Sequence, residues 1–216
     1  MRVLVTRPRE QAGPLVDALV ERGFDVLVKP LIRVEPLSDE PIDTTGYDWI
    51  IVTSPNGARQ LARRATGGLP QVAAIGPGTT AALEEEGIHV DLSAEVHTQE
   101  GLVAAFAERP RRALHVGADG ARSVLVDELG AEFLALYRTV ELTVDELPEA
   151  DLVVLMSPSA ARAYARAGGS AQAVSIGPQT TAAARAAGVA VVAEAPSQDL
   201  ESLVDCAAAW RASSPS

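Results

Sequence analysis

The sequence repeats itself in three blocks that keep the same order and lie about a hundred residues apart. Residues 49–59 recur as 152–162, residues 74–82 as 175–183, and residues 94–100 as 193–199. A fixed internal repeat indicates a structure built from similar units. We therefore expect two similar lobes with a ligand-binding cleft between them.

Each repeated block has the pattern of a β-turn-α unit, with a short apolar run, small turn-forming residues and an alanine-rich helical pattern. Ser54 and Ser157 are placed to cap helices, and each precedes a proline whose missing N–H would have no partner in the first turn. Gly76 and Gly177 precede a proline in the same way. Each position alone is an ordinary helix cap, whereas several such N-termini together would form an anion site.

Two polar stretches predict how the chain passes between the lobes. Residues 35–46 and 143–149 are polar and contain proline, and each follows a strand-helix-strand pattern, as a crossing linker would. The whole chain has ten β-α units, five for each lobe. Two matched linkers predict that the chain leaves lobe one after its second strand, builds lobe two and then returns.

This path makes lobe one discontinuous. Residues 1–34 and 142–216 would form lobe one, and residues 35–141 would form lobe two with the linkers. The simpler alternative is two consecutive lobes that meet near Pro110 and need a single linker. The paired polar stretches favour the discontinuous arrangement.

Composition and charge exclude several classes of protein. The chain has 216 residues, 47% hydrophobic and 22% charged, which suits two globular α/β domains. No apolar run approaches the roughly 20 residues of a membrane span, and Met1 leads into a strand without a signal-peptide pattern, so we expect a cytoplasmic protein with no membrane partner. The formal net charge of −11 argues against a nucleic-acid partner.

The familiar catalytic and nucleotide-binding motifs are missing from the sequence. It has no dinucleotide-binding glycine pattern, phosphate-binding loop, zinc-protease pair or nucleophile elbow. The single cysteine, Cys206, excludes a disulfide framework, and the histidines lack metal-ligand spacing, so we expect no metal. His115 lies within an apolar strand pattern, and we expect it in the core or behind a site.

Small and hydroxylic residues follow the predicted strands. Ligands of doubly wound sheets bind outside the carboxyl ends of the strands, where helix N-termini also suit carboxylates. Lys29 is the only lysine, so arginine side chains and backbone amides would have to bind any carboxylate. The residues themselves therefore predict a hinged, two-lobed receptor for a polyanion.

The order of these motifs resembles the uroporphyrinogen-III synthase family, the cyclising enzymes of tetrapyrrole biosynthesis. The resemblance covers nearly the whole chain, and it is the order and spacing that make it specific. The matching segments are 3–8, 51–57, 74–79, 136–139, 156–159 and 176–181. It implies an α/β fold of two flavodoxin-like parallel-sheet lobes, joined by a two-stranded linker, with the active site in the interdomain cleft.

The resemblance also implies a reaction. The family's enzymes need no cofactor and act on hydroxymethylbilane, a linear tetrapyrrole with eight carboxylates. The terminal hydroxyl leaves as water, ring D is inverted through a spiro intermediate, and the macrocycle closes to uroporphyrinogen III, the precursor of haem, sirohaem and cobalamin. We expect a monomeric lyase that makes at most a transient contact with the upstream hydroxymethylbilane synthase.

Residue roles are carried over on matching positions. Tyr137 falls on the family's Tyr-x-Thr position, which implies a proton donor to the leaving hydroxyl; the alternative is a hinge tyrosine that packs between the linkers. Hydroxyls at substrate-contacting positions are Thr53, Ser54, Thr79, Ser157, Ser159 and Thr180, for each of which helix capping is the alternative. Gly76, Gly117 and Gly177 would allow close backbone approach, and Arg7 and Arg138 would bind carboxylates.

Two functions from other classes remain open on the sequence. A non-catalytic two-lobed binding protein for an organic polyanion would share the fold and would release its ligand unchanged. An inactive, regulatory synthase-like domain would share the motifs. Turnover of hydroxymethylbilane to isomer III separates the enzyme from both.

Overall fold

Short apolar strands alternate with helices along the chain, in a computed structural model that describes residues 1–213. Residues 214–216 of the predicted first lobe lie outside the described residues. The strands are β1 (Arg2–Val5), β2 (Asp25–Val28), β3 (Ile32–Pro36), β4 (Ile42–Asp43), β5 (Trp49–Val52), β6 (Ala65–Thr66), β7 (Gln71–Ala74), β8 (Leu92–Ser93), β9 (Ala113–Ala118), β10 (Glu132–Glu141), β11 (Leu152–Leu155), β12 (Gln172–Ser175) and β13 (Val191–Glu194). The helices are α1 (Arg9–Glu21), α2 (Pro55–Arg64), α3 (Pro77–Glu85), α4 (Gln99–Ala105), α5 (Val124–Leu129), α6 (Pro158–Arg166), α7 (Pro178–Ala186) and α8 (Leu200–Ser213).

Contacts between residues divide the chain into two units. The first unit comprises Met1–Arg33 and the chain from Val140 onward, and the second comprises Val34–Thr139. Each unit contains one sheet whose central strands pair in parallel. The predicted α/β class with parallel sheets is confirmed.

The first unit has a five-stranded sheet in the spatial order β13-β12-β11-β1-β2, with every pair parallel. Counted along the chain, this order is 2-1-3-4-5, the flavodoxin-like order. The central strands are apolar because helices cover both faces of the sheet. Val3 and Val5 pack on one face with α1 and α8 residues, and Leu4 packs on the other with residues of α6 and α7.

The second unit has a six-stranded sheet in the order β3-β10-β9-β5-β7-β8. Ile50 and Val52 of β5 pack on one face with α2 and α3 residues, and Ile51 packs on the other with α4 and α5 residues. This alternation follows from the two-residue period of side chains along a strand. The pair β4 and β6 forms a small separate ladder.

Strand β10 extends further than the sequence indicated. The apolar pattern of the sequence predicts a strand over residues 133–136, whereas β10 runs over Glu132–Glu141 and carries both Tyr137 and Arg138. The strand continues because β3 pairs beside it, and the N–H of Leu37 donates to the carbonyl of Leu136 at 3.0 Å. A register shift between Ala135 and Tyr137 marks a β-bulge within the strand.

Across residues 1–213, none of the helices combines the length and the apolar character that crossing a membrane would require.

Candidate functional site

Tyr137 is a buried phenol on β10 of the second unit, only 5% exposed. Its Oη lies 2.8 Å from the Oγ of Ser54, and the side chain of Asn56 also hydrogen bonds to it. The bulge before Tyr137 leaves Leu136 and Tyr137, which are consecutive residues, buried in the same cluster. Bulges redirect side chains in this way and are common beside active sites.

The surroundings of Tyr137 keep its phenol protonated. Burial raises the pKa of Tyr137 above its ordinary value of 10, while hydrogen bonds from Ser54 and Asn56 act in the opposite direction. The hydroxyl is therefore available as a hydrogen-bond and proton donor at neutral pH. The same two partners would stabilise a phenolate that formed transiently.

Ser54 connects this tyrosine to the start of α2. Its Oγ accepts a hydrogen bond from the N–H of Gly57 at 3.0 Å, which is the N-cap interaction expected from the sequence. Since the same oxygen lies against Tyr137, capping and contact with the phenol occur together. The cap fixes the position of the Ser54 hydroxyl relative to the helix.

Thr53 precedes this cap and contacts His115. Its Oγ1 lies 3.1 Å from Nε2 of His115, which is fully buried on β9. Burial lowers the pKa of His115 from 6.5 to about 4, so the imidazole is neutral at physiological pH. The ring also lies 5.0 Å from the ring of Phe133.

Gly117 adjoins the Thr53–His115 pair. A Cβ at this position would lie 3.3 Å from Nε2 of His115 and 3.4 Å from Oγ1 of Thr53. The same position lies 3.6 Å from the ring of Phe133, and Gly117 itself is buried. A side chain here would press on the Thr53–His115 pair, which glycine avoids.

At the two glycine N-caps, side chains of the protein itself occupy the space beside the glycine. A Cβ at Gly76, the N-cap of α3, would lie 2.8 Å from the ring of His97. A Cβ at Gly177, the N-cap of α7, would lie 2.8 Å from the side chain of Gln198. Thr79 and Thr180, in the first turns of these helices, are each 3% exposed and offer little surface to a ligand.

The first unit repeats the serine cap and adds a second hydroxyl. Ser157 Oγ accepts from the N–H of Ala160 at 3.2 Å and lies 3.1 Å from Ser159 Oγ. Both serines are partly exposed at the start of α6.

The two predicted arginines differ in their partners. Arg7 is partly buried and contacts Met156 Sδ at 3.4 Å and Gln11 Oε1 at 3.3 Å. Arg138 is exposed and forms an ion pair with Glu35 at 2.8 Å. Arg138 lies next to Tyr137 on β10, but the tyrosine is buried and the arginine is exposed. The structure thus places the Glu35 carboxylate on Arg138 and holds the Arg7 guanidinium against Met156 and Gln11.

The sequence reasoning missed several contacts, and the Ser54–Tyr137 hydrogen bond is one of them. His115 was expected in the core or behind a site, but its bond to Thr53 was not identified; the glycine two residues later, Gly117, was the available signal. Asn56, inside the repeated block, was not considered as a partner of Tyr137. Nothing in the sequence indicated that His97 would lie over Gly76.

Among residues 1–213, no group of three or more histidine, cysteine, aspartate or glutamate side chains is arranged to hold a metal ion.

The second unit thus joins a protonated phenol, two hydroxyls and a helix N-terminus, an arrangement suited to proton donation and anion binding. A family model described as uroporphyrinogen-III synthase HemD matches residues 13–205 of this chain. The chain belongs to the uroporphyrinogen-III synthase family.

Curated relatives carry the same family name at low identity. A putative uroporphyrinogen-III synthase of Methanocaldococcus jannaschii is 26% identical over 151 residues, which cover 65% of this chain and 63% of that protein. The porphyrin biosynthesis protein HemD of Ruminiclostridium josui is 30% identical over 50% of this chain and 24% of its own length. The uroporphyrinogen-III synthase of Chlorobaculum parvum is 31% identical over 41% of this chain and 40% of that protein. This chain therefore spans less than two thirds of each relative.

Solved structures support the fold of the family. The uroporphyrinogen-III synthetase of Helicobacter pylori superposes with a TM-score of 0.67 at 16% identity, over 98% of this chain and all of that one (100%). A mutant uroporphyrinogen III synthase of Thermus thermophilus gives a TM-score of 0.58 at 15% identity, over 98% and 99% of the two chains. At these identities the likeness shows the fold alone.

Proposed function

We propose that this chain is a uroporphyrinogen-III synthase that converts hydroxymethylbilane to uroporphyrinogen III and water. Family membership supports tetrapyrrole biosynthesis as the setting. The buried Tyr137 phenol, held by Ser54 at the start of α2, is the observation that carries the chemistry. The reaction closes the macrocycle with inversion of ring D.

Tyr137 acts as the general acid in this proposal. Its phenol donates a proton to the terminal hydroxyl of the substrate, which leaves as water. Ser54 and Asn56 stabilise the phenolate that forms, since both hydrogen bonds lower the pKa of Tyr137. The phenol is restored by the proton that the attacked pyrrole ring loses when the new carbon–carbon bond is complete. General acid catalysis of this kind typically contributes about 10² to 10⁴ in rate.

The remaining predicted residues bind and orient the substrate. Thr53, Ser54, Ser157 and Ser159 present hydroxyls, and Arg7 presents a guanidinium suited to a carboxylate. Helices α2, α3, α6 and α7 contribute N-termini with a partial positive charge. Gly76, Gly177, Thr79 and Thr180 shape those N-termini, and Gly117 brings the backbone of β9 close to Thr53. Holding the two ends of a flexible tetrapyrrole in reacting geometry supplies much of the acceleration.

This chemistry requires a proton and correct positioning, so the proposal includes no cofactor. The proposal also includes a monomeric state, a cytoplasmic location and transient contact with hydroxymethylbilane synthase. Family membership alone supports these three points.

The decisive experiment is an isomer assay. Purified protein is incubated with freshly prepared hydroxymethylbilane, the products are oxidised to uroporphyrins, and isomers I and III are separated by chromatography. We expect isomer III to predominate over the isomer I that forms spontaneously in a protein-free control. Isomer I alone would overturn the proposed function, and recovery of bound, unreacted substrate would point to a binding protein.

A further inference from the structure

The Thr53–His115 hydrogen bond lies in the second unit. Neither residue takes part in the proton transfer proposed for Tyr137. His115 is fully buried, and its Nε2 lies 3.1 Å from Thr53 Oγ1. Its other ring nitrogen, Nδ1, is buried and has no hydrogen-bond partner among the described residues. A buried, half-satisfied imidazole within a central strand needs an explanation.

The unpartnered Nδ1 decides which nitrogen carries the proton. A neutral imidazole has one N–H donor and one acceptor nitrogen. If Nδ1 carried the hydrogen, a buried N–H would lack an acceptor, and orphaned buried N–H groups are rarer than under-satisfied acceptors. The favoured form therefore has the hydrogen on Nε2, which donates to Thr53 Oγ1.

This assignment fixes the role of the Thr53 hydroxyl. Because its oxygen accepts from His115, its own hydrogen is left to donate elsewhere. Across residues 1–213, Thr53 Oγ1 has no other hydrogen-bond partner, and the residue is partly exposed. Gly117 is buried against this pair, so a ligand oxygen would reach the hydroxyl from the exposed side of Thr53.

The first unit supplies an internal comparison. The repeat and the strand pairing place Met156 at the position of Thr53 and Val5 at the position of His115. Both replacements are apolar. The polar pair is thus a feature of one unit, and the shared scaffold folds without it.

We infer that His115 is a positioning residue whose Nε2–H holds the Thr53 hydroxyl as a donor to a substrate carboxylate. The inference rests on the proposed function for the identity of the substrate. Its geometric part concerns the protein alone and can be tested without turnover.

The first test measures the tautomer of His115. Long-range ¹H–¹⁵N spectra of the ¹⁵N-labelled full chain, assigned with a His115→Gln variant, report which ring nitrogen carries hydrogen at neutral pH. We expect hydrogen on Nε2 and an unprotonated Nδ1. Hydrogen on Nδ1, or a charged ring, would overturn the inference whether or not the chain turns over hydroxymethylbilane.

The second test measures kcat and KM for four substitutions. Thr53→Val removes the hydroxyl and should raise KM about tenfold or more, as expected for a hydrogen bond to a charged group. Thr53→Ser keeps the hydroxyl and should stay near the wild type. His115→Val should raise KM by a factor of about three to ten, and His115→Gln, which keeps an N–H donor, should recover most of that loss.

The double variant separates positioning from a structural role. If His115 acts through Thr53, the Thr53→Val/His115→Val enzyme should match Thr53→Val alone within about twofold. Losses that multiply, as for two independent residues, would overturn the inference.

Thr6→Val serves as the control, because Thr6 is fully buried in the first unit and its Oγ1 also lacks a partner. This variant should keep wild-type kcat and KM. Absence of isomer III from the wild type would instead refute the proposed function and leave the tautomer test intact.

Discussion

The two units share a sheet but differ in what they place at its carboxyl edge. Strands matched by the repeat occupy the same spatial order in both sheets, with β1 and β9 equivalent and β11 and β5 equivalent. At three matched positions the second unit has Thr53, His115 and Tyr137, and the first has Met156, Val5 and Ile32. The duplicated scaffold therefore retains its helix caps in both copies, while the Thr53 hydroxyl, the imidazole and the phenol occur only in the second unit at these positions.

A fourth matched position shows the opposite pattern. Gly117 in the second unit corresponds to Arg7 in the first, and the Arg7 guanidinium lies on Met156. Where one unit has a glycine beside a hydroxyl, the other has a cation beside a thioether. Under the proposed function, proton chemistry would belong to the second unit and charge neutralisation to the first.

The largest expected effect is at Tyr137. Tyr137→Phe keeps the ring and deletes the hydroxyl, so turnover should fall by about 10² to 10⁴ while thermal stability stays near that of the wild type. Tyr137→Ile installs the residue of the first unit and should be equally inactive. The measurement is the initial rate of isomer III formation alongside a melting curve.

Tyr137→Ala separates packing from acid chemistry. Removing the buried ring should lower stability by about 3 kcal/mol or more. Wild-type turnover by the phenylalanine variant would remove the acid role and leave Tyr137 with the packing role alone.

The next largest effect is a pH dependence of the free energy of unfolding, which His115 causes. Burial lowers the pKa of His115 from 6.5 to about 4, so between these values the unfolded chain binds a proton that the folded protein does not. The free energy of unfolding should therefore fall as the pH falls, by about 3 kcal/mol between pH 7 and pH 4.

His115→Val, which copies Val5 of the first unit, is the matched control. Urea unfolding at a series of pH values should show the wild type losing this additional stability on acidification relative to the variant. Parallel curves for the two proteins would mean that His115 titrates normally in the folded state.

A third comparison concerns the glycine caps. Gly76→Ala would place a Cβ 2.8 Å from the rigid ring of His97, whereas Gly177→Ala meets the flexible chain of Gln198. We expect Gly76→Ala to cost about 1 to 3 kcal/mol of stability and Gly177→Ala distinctly less, as measured by chemical denaturation. Equal costs in both units would show that His97 moves aside as easily as Gln198.

Some features of the fold and of the candidate site could be predicted from the sequence, and others could not. The β-turn-α pattern, the parallel sheets and the Ser54 and Ser157 caps could be predicted because each depends on residues close in the chain. The extension of β10 could not, because it depends on β3, about a hundred residues away. The Thr53–His115 and Ser54–Tyr137 bonds also join distant segments, and register and the bulge at Tyr137 decide them. The paired linkers predicted a discontinuous first lobe, and the units in the structure are Met1–Arg33 with the chain from Val140, and Val34–Thr139.

The smallest expected effect is a change in KM at the two predicted arginines. It tests whether charge neutralisation belongs to the first unit. Arg7→Gln removes a partly buried guanidinium, so a substrate carboxylate bound there would lose a charged partner. We expect KM to rise about tenfold with kcat little changed, since a hydrogen bond to a charged group is worth about 1.5 to 3 kcal/mol and solvent weakens it here. Arg138→Gln is the control, because the exposed Arg138 is already paired with Glu35 and exposed pairs contribute little. Its KM should change less than about twofold.

Raising the salt concentration should narrow the difference in KM between the wild type and Arg7→Gln, because salt screens the carboxylate–guanidinium interaction, which only the wild type makes. Equal effects of the two substitutions would break the assignment of charge neutralisation to the first unit.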